Sequence, residues 1–441
     1  MIRRYRWNVM LALCALAACG GDGGSGESGG PTAECEQCGG IPGTAGSGGG
    51  SSATMASNQT TLTVGAGPNG AADLDIPYAT VTLCEPNTNT CATIDNMLVD
   101  TGSYGIRILA SVLSSSGLSL ASVVDPVDST NTIAECVPFV SGYTWGPMAA
   151  ATVQIGGETA NSVPINVLND NGSYIPGVPA GCTALTVNKS LSSVQDLHAK
   201  GILGVGIFPY DCGGSCAQCA AAVGGCSTSN TFYYSCNSDS GICSPAQVAL
   251  NEQARNPVVS FGTDNNGVIL QLPAIASSGV PSAVGSITFG IGTRSNNDLG
   301  SAAVLTLTSD GFFTTMFDGQ TLDSSFIDSG SNGYFFPDES IPTCSASAVF
   351  YCPSSTLTLS AVNIGQNGNA NTLSVQIANP NALSSSNYAF DDIGGPTASS
   401  GVTDPFNNYF DFGLPFFFGR SVSILFDGAT SGSIEGPVYA Y

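Results

Sequence analysis

The chain has 441 residues, enough for one large or two medium domains, and carries 9 Lys and Arg against 32 Asp and Glu, a formal net charge of −23. A surface this acidic repels phosphate backbones, so no nucleic-acid partner is expected. With one histidine, His198, a multi-histidine zinc site cannot be built, and any histidine-dependent nucleophile relay would have to use that residue.

Residues 1–19 read as a lipoprotein signal peptide. Arg3, Arg4 and Arg6 give the basic start, Val9 to Ala15 a short apolar core, and Leu16-Ala17-Ala18-Cys19 a lipobox whose cysteine is acylated and becomes the mature N-terminus. The apolar run is too short to span a bilayer. Gly20 and Gly21, rather than Asp, follow Cys19 and favour the outer membrane. The expected location is therefore periplasmic or cell-surface, with membrane contact through the lipid alone. Residues 20–60 are dominated by Gly and Ser and read as a flexible tether, in which Cys35 and Cys38 form a local disulfide.

Beyond the tether, short β-branched and aromatic runs are punctuated by Gly, Asn and Pro, which predicts an all-β body. Thr60–Val64, Ala79–Leu83, Ala151–Ile155, Val268–Leu272, Val304–Thr308 and Ser421–Phe426 are the clearest strands. The best helix is Pro245–Arg255, stopped by Asn256-Pro257. His198 lies in a short helical run, Val194–Lys200, and reads as structural. Sixteen cysteines point to an oxidising compartment. Cys84 with Cys91, and Cys344 with Cys352, close short loops, and Cys136 and Cys182 are left to pair with each other. Cys212, Cys216, Cys219, Cys226, Cys236 and Cys243 crowd an insert over 209–246, read as three disulfides of open connectivity rather than a metal site. No metal and no cofactor are expected.

Met97-Leu98-Val99-Asp100-Thr101-Gly102-Ser103 is an apolar strand ending in Asp-Thr-Gly-Ser, and Ser325-Phe326-Ile327-Asp328-Ser329-Gly330-Ser331 repeats the arrangement. Each copy offers a carboxylate, a hydroxyl able to bond across to the other loop, and a glycine that permits a tight turn. Two carboxylates a few ångströms apart share one proton and titrate as a unit, the state needed to hold and activate a water. One such motif would be an ordinary turn; two, each behind an apolar strand, predict a catalytic pair, Asp100 and Asp328, supported by Thr101, Gly102, Ser103, Ser329, Gly330 and Ser331. A two-carboxylate glycosidase would explain the pair but not the hydroxyl and glycine that follow each.

These motifs resemble the pepsin-like aspartic peptidases over most of residues 60–441, and within them a proteobacterial group of secreted proteins and lipoproteins with that fold. Gly201-Ile202-Leu203-Gly204-Val205 looks like the family's apolar-apolar-Gly element, and Thr152–Gly157 resembles the strand and turn that follow its active-site flap. Phe139, Gly142 and Tyr143 then fall in the flap hairpin. The resemblance implies two β-barrel-like lobes around a cleft, an N-terminal lobe over 61–273 and a C-terminal lobe over 274–441. It implies a monomeric endopeptidase acting on an extended peptide or protein substrate. A lipoprotein of the same fold that binds peptides without turnover is the alternative. The chain departs from the family in three places. Phe139 stands at the flap-tyrosine position, Arg107 replaces the tryptophan that braces it, and Leu414-Pro415 occupies the second apolar-Gly position. The sequence offers no basic propeptide, so zymogen activation is not expected.

Overall fold

The computed structural model describes residues 55–172, 177–183, 189–217, 232–345, 348–397 and 408–441. The signal peptide, almost all of the tether, and Cys19, Cys35, Cys38, Cys219 and Cys226 lie outside the described residues. The expected strands all form. In the first part of the chain they are β1 (Gln59–Val64), β2 (Pro77–Cys84), β3 (Cys91–Asp100), β4 (Tyr104–Leu109), β5 (Asn131–Phe139) and β6 (Gly142–Ile155). Next come β7 (Glu158–Leu168), β8 (Gly201–Val205), β9 (Tyr233–Asn237), β10 (Ile242–Pro245), β11 (Gly267–Gln271) and β12 (Ala283–Phe289). The remainder are β13 (Val304–Thr306), β14 (Phe313–Phe317), β15 (Gln320–Ile327), β16 (Tyr334–Phe335), β17 (Leu357–Ile364) and β18 (Ala370–Ile377). The last six are β19 (Gly394–Gly395), β20 (Asp411–Phe412), β21 (Ser421–Leu425), β22 (Thr430–Ser431), β23 (Ile434–Glu435) and β24 (Val438–Ala440).

The strands form two large barrel-like sheets, one of 15 strands and one of 7. Around each Asp-[Thr/Ser]-Gly-Ser loop the same four-strand pattern occurs. In the larger sheet β3 runs parallel to β8, β8 antiparallel to β4, and β4 parallel to β7. In the smaller, β15 runs parallel to β20, β20 antiparallel to β16, and β16 parallel to β19. Parallel neighbours need long crossovers, so each loop is held by chain segments remote in sequence. One apolar core runs from Leu62 and Val99 through Phe313 and Ile327 to Phe412 and Tyr439. Within it Phe410 stacks on Phe336 and on Phe412, at 4.7 and 4.2 Å between ring centroids. Such stacks contribute about 0.5–1.5 kcal/mol each beyond burial and anchor β20. β1 begins at Gln59 and pairs with β12, so strands from both sides of residue 273 share the larger sheet.

Two readings are corrected. Pro245–Arg255 is not a helix: only Leu250–Glu252 makes a 3-10 turn. Tertiary bonds override its helix propensity: Gln253 Nε2 donates to the Gly213 and Val248 carbonyls, and the Ala254 N–H donates to the Tyr233 hydroxyl. Leu414-Pro415 does not fill the second apolar-Gly position; Asp411-Phe412-Gly413 does, since Ile327 pairs with Phe412 as Val99 pairs with Leu203. An acid in a slot expected to be apolar masks this register in the sequence.

Five disulfides close among the described residues: Cys84–Cys91, Cys136–Cys182, Cys212–Cys216, Cys236–Cys243 and Cys344–Cys352. The first, second and last are the expected pairs, and the other two lie within the insert. Five cross-links indicate an oxidising, exported setting. Among the described residues no helix is long and apolar enough to cross a membrane. His198 follows the helical turn Val194–Leu197 in the left-handed conformation at φ 53°, and its carbonyl accepts from the Tyr78 hydroxyl at 2.7 Å, a structural place.

Candidate active site

The apolar ends of β3 (Met97–Val99) and β15 (Phe326–Ile327) deliver Asp100 and Asp328 to facing loops. Each carboxylate is bound by the same two groups of its own loop, a glycine N–H and a serine hydroxyl. The Gly102 N–H donates to Asp100 Oδ1 at 2.8 Å and the Ser103 hydroxyl to Oδ2 at 2.5 Å. The Gly330 N–H donates to Asp328 Oδ1 at 2.7 Å and the Ser331 hydroxyl to Oδ2 at 3.1 Å.

The loops then latch to each other through four reciprocal bonds. The Thr101 N–H donates to Ser329 Oγ (3.1 Å), and the Ser329 N–H to Thr101 Oγ1 (2.9 Å). The Thr101 hydroxyl donates to the Ile327 carbonyl (3.2 Å), and the Ser329 hydroxyl to the Val99 carbonyl (2.7 Å). All four join residues 226 to 230 positions apart. The hydroxyls thus act as the sequence requires.

The glycines work by absence of volume. A Cβ on Gly102 would lie 2.6 Å from the Asp328 carboxyl carbon. A Cβ on Gly330 would lie 2.6 Å from Asp100 Oδ1 and 3.1 Å from Asp328 Oδ1. One methyl-sized point therefore touches the inner oxygens of both acids. Asp328 keeps some access to solvent, yet burial among protein atoms pushes its carboxyl well above the usual carboxylate range. The charges of Asp100 and Asp411, and a hydrogen bond with Asp100, push the same way. Close acids of which one is hard to ionise hold one proton between them.

Asp411 is the residue that sequence reasoning missed. It lies on β20 beside Phe326, its Oδ2 is 2.6 Å from Ser331 Oγ, and it is 5% exposed. The motif Asp-Phe-Gly was the available signal, hidden because the first copy reads Ile202-Leu203-Gly204.

The expected flap residues lie in the hairpin of β5 and β6, in which Phe139 pairs with Gly142 across Val140-Ser141. Alternate residues of β5 face opposite ways. Glu135 and Phe139 face Arg107, whose guanidinium carbon lies 5.9 Å from the Phe139 ring centre. The expected pairing of positions 107 and 139 therefore exists, as a cation over a ring in place of a hydroxyl bond. Arg107 is fully buried: Nη1 donates to the Tyr104 carbonyl at 2.8 Å, and Nη2 sits 3.1 Å from Glu135 Oε1 and 3.4 Å from Asp211 Oδ2. The Tyr233 hydroxyl on β9 donates to Asp211 Oδ1 at 2.7 Å. Burial and the Glu135 charge push the Asp211 carboxyl well up. Tyr143 is not brought to this site. It packs with Trp145 and the Cys136–Cys182 bridge on the other face, and its N–H and carbonyl bond to the Lys189 carbonyl and the Leu191 N–H. Gly142 has φ 156°, and a side chain there would meet the Lys189 carbonyl at 2.3 Å.

The described residues hold no cluster of His, Cys, Asp and Glu suited to a metal ion. No curated protein matches the chain. It is similar to a solved structure, the crystal structure of aspartic proteinase from Irpex lacteus, at 15% identity and a TM-score of 0.42, over 86% of this chain and 96% of the other. A family model described as "Protein of unknown function (DUF3443)" matches residues 54–441.

Proposed function

The chain belongs to the family described as Protein of unknown function (DUF3443), and from the geometry of its site we propose that it is a pepsin-like aspartic endopeptidase with Asp100 and Asp328 as its catalytic pair. The observation that carries this reading is the reciprocal latch, which fixes two carboxyls against one point while leaving their inner oxygens unblocked. A water at that point would lie between an acceptor and a donor. In the proposed reaction the Asp100 carboxylate removes a proton from the water as its oxygen attacks the peptide carbon. The Asp328 carboxyl passes its proton to the carbonyl oxygen. Collapse of the resulting diol breaks the C–N bond, with a proton delivered to the leaving nitrogen. An extended peptide lying beneath the β5–β6 hairpin is the substrate class that suits the site.

Quenched fluorogenic peptides assayed from acid to neutral pH test the reading. D100N and D328N each keep the shape of the site but remove a proton acceptor, and each is expected to lower kcat/KM at least about a thousandfold with the fold intact by circular dichroism. Cleavage that survives either substitution ends the dyad reading. Two observations favour binding of peptides without turnover: Phe139 brings no hydroxyl to the flap, and the hairpin tip is bonded to Lys189 and Leu191. Wild-type protein that binds peptides and cleaves none would establish that alternative.

The lipobox supports a lipid on Cys19 as a membrane anchor, with the outer membrane favoured. Mass spectrometry of the mature N-terminus is expected to find an acylated Cys19; an unmodified chain starting elsewhere refutes the anchor.

A further inference from the structure

Ser331 stands between two carboxyls, 3.1 Å from Asp328 Oδ2 and 2.6 Å from Asp411 Oδ2. A serine hydroxyl has one proton to give, so two ionised carboxylates at these distances cannot both be served. The other loop has no such competition. Ser103 donates to Asp100 Oδ2, and the register position equivalent to Asp411 is the apolar Ile202. Asp411 is 5% exposed and its Oδ1 has no hydrogen-bond partner, so a charge there would be almost unsolvated.

We propose that Asp411 is a positioning residue of the catalytic pair, a protonated acid whose O–H donates to Ser331 Oγ and so frees the Ser331 hydroxyl to donate to Asp328 Oδ2. The assignment rests on the peptidase reading for its kinetic consequence but not for its hydrogen bonds. The titratable groups that interact with Asp411 are Asp328 and Asp100 in the two loops and the Tyr439 phenol on β24, and none of these is cationic. Burial pushes the Asp411 carboxyl well up, the Ser331 hydrogen bond opposes this, and the Asp100 charge adds to it. When Asp411 gives up its proton to solvent, it becomes the nearer and stronger acceptor for Ser331. Asp328 Oδ2 then loses its donor. The fall of activity toward alkaline pH therefore reports Asp411 as well as the pair.

The test is the pH profile of kcat/KM on one fluorogenic peptide for wild type, D411N, S331A and the double variant. Asn at 411 offers an N–H at every pH, so the alkaline limb of D411N is expected to move up by about half a unit or more. On the S331A background the same substitution is expected to move nothing, because the link is gone. A D411N profile that superimposes on wild type, or an equal shift without Ser331, overturns the proposal. Carbon NMR of wild-type protein labelled in its Asp carboxyls gives a readout free of activity and of variants. At pH 6 the Asp411 carboxyl is expected to show the shift of a protonated acid; an ionised one overturns the proposal. Protein that cleaves nothing yet keeps Asp411 protonated would sink the peptidase reading and leave this assignment standing.

Discussion

At the scale of single residues the site is governed by where atoms cannot go. Gly102 has no need of a left-handed backbone; its constraint is the Asp328 carboxyl, 2.6 Å from where a Cβ would sit. G102A is therefore expected to push that carboxyl aside and lower kcat/KM by about a hundredfold or more, with Tm changed by only a few degrees. Paired activity and melting measurements check it, and a parallel loss of both would mean the glycine serves the fold instead. The hydroxyl of Thr101 makes a different point. A valine there keeps the volume but leaves the Ser329 N–H without its partner, and the Ile327 carbonyl with only the Tyr439 hydroxyl at 3.4 Å. Unsatisfied buried groups cost about 1–3 kcal/mol each, so T101V should lose stability and activity together. Arg107 shows what one buried cation requires: it lies against the Phe139 ring and brings two acids and a tyrosine with it.

At the scale of elements, the β5–β6 hairpin is bound on several sides. β9 and β10 extend the sheet beyond β5, Cys136–Cys182 staples β5 to the turn at Ala180–Thr183, and Gly142-Tyr143 rest on Lys189–Leu191. Removing the staple in C136A/C182A is expected to lower stability by about 2–5 kcal/mol, read as a lower urea midpoint; an unchanged midpoint would show that β9 and β10 suffice. The strands were legible because each alternates or runs apolar over its length, and the two Asp loops because the four-residue motif occurs twice. The place of Asp411 was not, since a buried acid breaks the apolar pattern that defines its strand and its partner Ser331 lies 80 positions away. The facing of the flap was equally hidden: Phe139 and Tyr143 are both aromatic, and only the pairing of Phe139 with Gly142 decides which one meets Arg107. The expected helix at Pro245–Arg255 failed for a related reason, because local propensity yielded to bonds with Gly213 and Tyr233.

At the scale of the whole molecule, acidity and burial act together. Asp75, Asp211, Asp328 and Asp411 all have carboxyls pushed well up, chiefly by burial, and Asp392 is raised to about 6. Unfolded carboxyls ionise near about 3.9, so above that pH the native state holds protons that the unfolded chain has lost. Stability contributed by these groups is full below about pH 4 and drains away as pH rises toward about 6 and beyond. Self-repulsion of a chain with net charge −23 acts in the same sense. Asp95 and Asp264, whose carboxyls are held low through Lys200 and Arg294, oppose this only by weakening as pH falls below 4. Thermal melts are expected to give a higher Tm at pH 5 than at pH 8, and the reverse order would show that the buried acids do not dominate. The four latch bonds, each bridging well over two hundred residues, have a meaning for biogenesis. Each loop can bind its own carboxylate, but the two are brought face to face only when segments more than two hundred residues apart have met; on the peptidase reading proposed above, an incomplete chain would hold two separate acids and no pair. Latency until folding is complete would then follow from the topology alone.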